Sequence, residues 1–265
     1  MDLPVLSIGQ FNLVYNMLSL ALACMLGSFV FFILARNELA PKYRMSMIVS
    51  ALVVGIAGYH YWRIFGSWDA AYTLVDGAYS PSGTPFNDAY RYVDWLITVP
   101  LLMVELVAVL ALAKEKSRSL LTRLVIAAAL MIGLGYPGEI LGDTNMFSER
   151  GLWGLLSTIP FVYILYVLWG EIGEAIERQT PRVQLLLKNL RLLTVGTWGF
   201  YPIAYMAPFF GFTGAEAEVF LQVGYSIADI TAKCGYGIMI YAIAKNKSEA
   251  DGYGVEQAYS EKMSA

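Results

Sequence analysis

The sequence predicts an all-α membrane protein: a seven-transmembrane-helix bundle with a short β-hairpin in the outward loop between helices two and three. Three observations lead there. The chain is 57% hydrophobic and 15% charged over 265 residues, too apolar for a water-soluble domain of that length. Seven stretches each supply the ~20 mostly apolar residues that cross roughly 30 Å of hydrocarbon. The basic residues also segregate to alternate connections, as they do where cytoplasmic loops retain Lys and Arg. No linker or composition break divides residues 1–265, which read as a single domain with an outward N-terminus at 1–8 and a cytoplasmic tail at 247–265.

The first span, at 10–35, is longer than a signal-peptide core and lacks a basic leader and a small-residue cleavage site, so it reads as a retained helix. The second lies at 44–66. After it, Ala70–Val75, the pair Asp76-Gly77, and Ala78-Tyr79 read as a hairpin with a type I′ turn, because that turn needs φ > 0 at both central residues. The remaining spans fall at 88–113, 119–141, 151–177, 183–209 and 216–244. Pro100, Pro137, Pro160, Pro202 and Pro208 sit inside spans. They are tolerated in a packed membrane bundle either as kinks around a cavity or as ordinary membrane-helix residues. Cys24 and Cys234 match no disulfide or metal spacing and read as packing residues.

One set of connections holds Arg36, Lys42, Arg44, Lys114, Lys116, Arg118, Arg123, Arg178, Arg182, Lys188, Arg191, Lys245, Lys247 and Lys262. The other has only Arg63, Arg91 and Arg150, beside the acids Asp69, Asp76, Asp143, Glu149, Glu216 and Glu218. The first set is therefore cytoplasmic, with the N-terminus outside and the C-terminus inside. A multi-pass protein of the cell membrane is expected, with lipid as its surroundings and no nucleic-acid partner.

Charges at the centre of a span cost at least ~2.5–3.5 kcal/mol each, so they face the bundle interior and mark a pathway. Here the candidates are His60, Arg91, Asp94, Glu105, Asp229 and Lys233. Lys233 lies near the middle of the seventh span with Asp229 one turn earlier on the same face. A buried amine keeps its charge as a Schiff base condensed with an aldehyde. A plain buried ion pair is the other reading, and such pairs seldom repay their desolvation as structure. In the third span, eleven residues separate Asp94 from Glu105, which places them on nearly the same face and ~16 Å apart along the axis. Two proton-capable carboxylates then stand above and below the centre, with Thr98 one turn from Asp94 to hydrogen-bond between them.

These segments carry a resemblance. Arg91-Tyr92-Val93-Asp94-Trp95-Leu96-Ile97-Thr98-Val99-Pro100, Trp198-Gly199-Phe200-Tyr201-Pro202 and Asp229-Ile230-Thr231-Ala232-Lys233 resemble the retinal-pocket motifs of microbial rhodopsins. Gly58-Tyr59-His60-Tyr61, Phe86-Asn87-Asp88-Ala89-Tyr90 and Gly135-Tyr136-Pro137-Gly138-Glu139 are most similar to the proteorhodopsin and xanthorhodopsin group of light-driven proton pumps. The resemblance implies an ion transporter, not an enzyme. It makes Lys233 the Schiff-base lysine for all-trans retinal, Asp94 the primary proton acceptor, Asp229 the second counterion, Glu105 the cytoplasmic donor and Arg91 the outward gate. Asp94, Thr98 and Glu105 together match the family's proton-pump signature, with no metal implied. A histidine at position 60 bonds the acceptor carboxylate in this group, which would couple the titration of the two; a satisfied core histidine is the other reading.

The resemblance further places Trp95, Met131, Gly135, Ser157, Thr158, Phe161, Trp198, Tyr201 and Tyr205 around the retinal, with Leu102 marking a green absorber. Phe210 and Leu221 stand where other relatives carry a pair of outward glutamates for proton release, so release is expected late or by another path. Gly154 stands where many relatives have Trp, which implies a lipid-facing window and a carotenoid antenna site as in xanthorhodopsin; close packing by a small residue is the alternative. Homo-oligomers, pentamers or trimers, are implied by resemblance alone. Two rival functions remain: a sensory rhodopsin signalling through a transducer, against which Glu105 argues, and a seven-helix membrane protein without retinal.

Overall fold

The computed structural model describes residues 3–140 and 148–253. Helix α1 (Ile8–Ala35) opens with a capping box. Ser7 Oγ accepts from the Gln10 main-chain N–H at 3.2 Å while the Gln10 side chain accepts from the Ser7 N–H at 2.9 Å, satisfying two donors that a helix start leaves free. Helices α2 (Arg44–Ala71), α3 (Ala89–Leu110) and α4 (Lys114–Ile140) follow as the second to fourth spans. The fifth is α5 (Glu149–Trp169), prolonged by the short α6 (Glu171–Glu177). The sixth is α7 (Pro181–Trp198), broken at Gly199 and continued as α8 (Phe200–Met206). The seventh is α9 (Gly214–Asp229), a π-helical turn at Ile230–Gly235, and α10 (Tyr236–Ala250).

Among the described residues, six helical stretches are long and apolar enough to cross a membrane. The sixth expected span is the one that falls short, because α7 carries Arg182, Gln184, Lys188, Asn189 and Arg191 within its first eleven residues. It is nevertheless packed against α10 as part of the ring, in which α1 to α5 pack in sequence and α9 returns to α1. Helices α3, α4 and α5 run through Pro100, Pro137 and Pro160 unbroken. Only near Pro202 and Pro208 does the helix type change.

The bundle is inverted relative to a water-soluble one. On α5 the exposed positions Leu152, Leu155, Ile159, Val162 and Tyr166 repeat at helical spacing, an apolar stripe that faces outward. Arg91, Asp94, Glu105, Asp229 and Lys233 are buried. That distribution suits hydrocarbon outside and a polar pathway inside.

The expected hairpin is present as β2 (Tyr72–Val75) and β3 (Ala78–Pro81), with Asp76 and Gly77 both at positive φ. A third strand, β1 (Leu6–Ser7), pairs antiparallel with β3 through Leu6 and Tyr79; two residues are too few to leave an alternation in the sequence. The sheet is anchored on rings: Phe11 stacks on Tyr79 at 3.8 Å between centroids and on Trp68 at 5.8 Å.

The end of the bundle that carries the C-terminal helix is tied more firmly than a tail from 247 implies. Lys247 Nζ donates to the carbonyls of Val109 and Leu110 at 3.0 and 2.9 Å, satisfying acceptors that the end of α3 leaves free. Asp251 accepts from Tyr43 Oη at 2.8 Å and pairs with Lys42 at 2.9 Å; these bonds, Lys42's first, hold its carboxyl below the ordinary range. Lys262 with the rest of the expected tail, and Asp143 with the last residue of the fourth expected span, lie outside the described residues.

Close helix approach depends on glycines that receive rings. A methyl group on Gly237 would collide with Phe32 of α1, and one on Gly224 with Phe200. Gly237→Ala should therefore destabilise the bundle by about 1–3 kcal/mol through overpacking, seen as a lower thermal midpoint of helical circular dichroism in detergent. Phe32→Leu in the same chain should recover part of the loss, and an unchanged midpoint in the single variant would show that α1 can retreat freely from the seventh span.

Candidate functional site

At the centre of the bundle the seventh span leaves α-helical geometry. The π turn at Ile230–Gly235 contains Lys233, and such insertions concentrate at functional sites. Its Nζ lies 2.8 Å from Asp229 Oδ1 and 2.9 Å from Asp94 Oδ2, with all three residues no more than 2% exposed. One cation is thus shared by two carboxylates from different helices.

The two carboxylates are not equivalent. Asp229 accepts, besides Lys233, from Tyr201 Oη at 2.5 Å, Tyr61 Oη at 2.9 Å and Trp95 Nε1 at 3.2 Å. Asp94 accepts from Lys233 alone, and its Oδ1 has no hydrogen-bond partner among the described residues. Of the two readings of His60, the satisfied core histidine holds and the bond to the Asp94 carboxylate is not formed. His60 Nδ1 is 3.9 Å from Asp94 Oδ1, beyond hydrogen-bond reach, because it is spent on the Ile56 carbonyl one turn back at 3.0 Å. Thr98 differs from expectation: its hydroxyl donates to the main-chain carbonyl of Asp94 at 2.8 Å, not to the carboxylate.

Beside Lys233 lies a cavity enclosing about 870 Å³ of atom-free space. It is lined by every residue expected around a chromophore: Trp95, Leu102, Met131, Gly135, Gly154, Ser157, Thr158, Phe161, Trp198, Tyr201, Tyr205 and Lys233. Tyr92, Val99, Ile132, Pro202, Tyr225, Asp229 and Ala232 complete the wall. Polar atoms along it are largely spent within the protein, Ser157 Oγ on the Met131 carbonyl at 2.6 Å and Thr158 Oγ1 on that of Gly154 at 2.8 Å.

The position of Gly154 is more specific than a missing wall. A Cβ there would stand 2.8 Å from Tyr205 Cε1, and a Cβ on Gly138 would collide with the Tyr205 hydroxyl. Two glycines from α4 and α5 therefore cradle one tyrosine of α8. Tyr205 is also held by Arg150, donating its hydroxyl to the Arg150 carbonyl and accepting Nη1 on its own carbonyl, both at 2.8 Å. Arg150, read from sequence as an outward-loop charge, is 2% exposed and paired with Glu139 at 3.1 Å. Thr158 both lines the cavity and is exposed.

Toward the end of the bundle that carries the basic connections, Glu105 is fully buried and its Oε2 accepts from Ser50 Oγ at 2.6 Å. Toward the opposite end, Arg91 donates Nη1 to Tyr61 Oη at 3.2 Å, Nη2 to Gln222 Oε1 at 2.6 Å and Nε to Asp88 Oδ1 at 2.9 Å. It therefore reaches Asp229 through Tyr61. Gln222 Nε2 in turn donates to Glu218 Oε1 at 3.1 Å. The sequence reading missed Tyr61, Ser50, Gln222 and the Glu139–Arg150 pair. One signal was there to be read: Gln222 precedes Asp229 by seven residues, two turns along one helical face.

The model of the family described as bacteriorhodopsin-like protein matches residues 12–247. Green-light absorbing proteorhodopsin of Gamma-proteobacterium EBAC31A08 is 32% identical over 232 residues, 86% of this chain and 85% of the relative. Bacteriorhodopsin of Halobacterium salinarum is 31% identical over 219 residues, 81% and 77% of the two chains. Among solved structures, that of xanthorhodopsin, described as a light-driven ion pump with dual chromophore, aligns with a TM-score of 0.92 at 60% identity, covering 96% of this chain and 100% of the other. The structure of thermophilic rhodopsin aligns with a TM-score of 0.91 at 53% identity over 95% and 100%. With a family match over nearly its whole length and the buried lysine–dicarboxylate centre in place, this chain belongs to the bacteriorhodopsin-like protein family.

Proposed function

We propose that the chain is a light-driven outward proton pump in which Lys233 Nζ is the site of proton transfer. The observation that carries the proposal is the inequality of its two carboxylates. Three neutral donors besides Lys233 solvate Asp229, while Asp94 has none. Hydrogen bonds to a carboxylate favour its charged form, so Asp229 keeps its charge and Asp94 takes the proton.

The cavity fits retinal: its wall is aromatic and aliphatic, and its one amine is Lys233 Nζ, the group an aldehyde condenses with. Bound there as a Schiff base, retinal supplies light absorption and a light-driven change of shape. Trp95, Trp198, Tyr201 and Phe161 hold it by packing, and the neighbouring carboxylates compensate the cation at Nζ. Leu102 in the wall suits green absorption.

The remaining steps belong to the protein. Asp94 Oδ2 accepts the proton of Lys233 Nζ across 2.9 Å. Glu105, surrounded by apolar residues and bonded only to Ser50 among the described residues, holds a proton at rest and returns it to Nζ. Arg91, tied to Asp229 through Tyr61, closes the outward side. With the basic connections facing the cytoplasm, net movement is outward, against about 2.3 kcal/mol per proton at 100 mV. A sensor signalling through a transducer has no need of the Glu105 donor, and a purely structural bundle has no need of the cavity.

A second chromophore is favoured by the exposure of Thr158 at the cavity wall. A carotenoid lying on the outer face beside Gly154 would approach the cavity there, with the Tyr205 ring as the intervening wall.

Illuminated cells carrying the chain should acidify their medium, with the signal collapsing under a protonophore; Asp94→Asn should abolish it and shift the visible band to the red. Acidification retained by that variant would remove Asp94 as acceptor. Glu105→Gln should slow return of the proton to Nζ by roughly 10²-fold or more, followed as the recovery of the visible band after a flash; an unchanged recovery would exclude it as donor. In carotenoid-containing membranes the action spectrum of pumping should show antenna bands that Gly154→Trp removes, since Trp cannot coexist with Tyr205 in that cradle. A native spectrum without those bands would rule the antenna out.

A further inference from the structure

Glu105 and Lys233 exchange a proton in the proposed cycle, yet no hydrogen bond joins them among the described residues. Glu105 is fastened only to Ser50 of α2, and its Oε1 has no partner there. Lys233 belongs to the seventh span. The spacing between donor and receiver is therefore set by whatever ties α3 to that span, and not by either group itself. On the Glu105 side of Lys233, two hydrogen-bonded ties among the described residues do so. Tyr236 Oη, on a residue 1% exposed, donates to the Leu102 carbonyl at 3.3 Å. Lys247 Nζ donates to the carbonyls of Val109 and Leu110 at 3.0 and 2.9 Å. Counted along α3, the first tie falls three residues before Glu105 and the second four and five after it. Tyr236 and Lys247 are eleven residues apart, about three turns along nearly one face of the seventh span. The donor carboxyl thus sits between two rungs thrown across from the helix that carries its target.

We propose that Tyr236 and Lys247 are positioning residues for the return of the proton from Glu105 to Lys233 Nζ. The proposal rests on the pump reading above. In that step the Glu105 O–H bond breaks, its electron pair stays on the carboxylate, and an N–H bond forms at Nζ. Such transfers are steep in distance, a misplacement of about 1 Å costing roughly 10²-fold. The chemistry of the second rung argues for a purpose beyond stability. An ammonium is costly to bury without a counter-charge, and Lys247, 8% exposed, has no carboxylate within ion-pair distance among the described residues. It binds instead the carbonyls that the end of α3 leaves free, at the negative pole of that helix, with the Tyr43 ring centroid 5.2 Å away. Helix α3 needs this support, because it stops at Ala111 with φ 51°, a left-handed conformation in which a Cβ is strained. The first rung acts on Leu102, whose residue also lines the cavity. One end of the braced segment therefore meets the cavity wall and the other the end of the bundle, and the stretch that holds Glu105 is kept against the seventh span between them.

The test is flash excitation of the retinal-loaded protein in lipid vesicles, with visible absorption reporting loss and return of the proton at Nζ. Tyr236→Phe and Lys247→Met should each slow the return by roughly tenfold or more, with loss of the proton within about twofold of native and the visible band unmoved. Lys247→Arg, which keeps the donors, should recover most of the native return rate. The slowed return should stay independent of external pH, because Glu105 still supplies the proton; in Glu105→Gln it should slow further as pH rises, because the proton then comes from water. In the retinal-free protein, main-chain hydrogen exchange over Leu106–Leu110 should rise in Lys247→Met and not in Lys247→Arg, reporting the freed end of α3. Native return in either Tyr236→Phe or Lys247→Met, equal slowing of loss and return, a pH-dependent return in these variants, or unchanged exchange overturns the proposal and leaves the pump reading intact. Tyr236→Phe removes a single oxygen and keeps the test decisive if Lys247→Met does not fold. A return as fast as native in Glu105→Gln removes Glu105 as donor and overturns both.

Discussion

The structure turns on one buried cation held between two carboxylates of unequal solvation. Removing charges from water costs several kcal/mol per ion even after relaxation, and a buried pair recovers this only when its remaining lone pairs are satisfied. Asp229 meets that condition, with Tyr61, Tyr201 and Trp95 around it. Asp94 meets it less fully, accepting from Lys233 alone among the described residues. A centre built for stability would satisfy both. A carboxylate with fewer donors is the cheaper of the two to protonate, which is what the proposed acceptor role of Asp94 requires.

That inequality depends on elements far apart in the chain. Tyr61 comes from α2, Trp95 from α3, Tyr201 from α8 and the π turn from the seventh span, so each packing contact that fixes the ring also fixes the donors around Asp229. The break between α7 and α8 at Gly199 belongs to the same logic: just beyond it, Tyr201 and Pro202 reach the cavity wall. Gly224 and Gly237 accept Phe200 and Phe32, drawing the seventh span close to its neighbours. The donors to Asp229 are thereby held at hydrogen-bond distance on a rigid frame.

Much of this was legible in the sequence, for identifiable reasons. Span positions follow from apolar length, and the hairpin turn from Asp76-Gly77, whose positive φ few other pairs accept. Asp94, Glu105, Asp229 and Lys233 stood out because a charge inside hydrocarbon is costly wherever it occurs. The sixth span was harder, since α7 carries several polar and charged residues along its first half. Partners were harder still. Tyr61, Ser50 and Gln222 are common polar residues whose importance comes only from what another helix places opposite them. For His60 the sequence left two readings open, and Thr98 was misjudged in its bond, because each found a closer carbonyl on its own helix, a local competition that pattern does not reveal. The π turn left no mark, since it shifts register without changing composition. Gly154 was visible as a missing bulk, but only the position of Tyr205 shows what takes its space.

Directionality follows from the difference between the two halves of the bundle. On the side of Lys233 that carries the basic connections, Glu105 is fully buried, with Ser50 as its one donor among the described residues. In the proposed cycle a proton held there is costly to release to any site but a nearby base, and Lys233 Nζ becomes such a base only after Asp94 has taken its proton. Outward, the path is polar, and Arg91 binds Tyr61, Gln222 and Asp88 at once. A fixed cation there repels a proton returning from outside, yet it stabilises any carboxylate that ionises beside it. The same guanidinium therefore opposes entry and favours exit. With a neutral donor on one side and a cationic hub on the other, a change of shape at Nζ has to set only the order of the transfers; the asymmetry of the surrounding charges sets their direction.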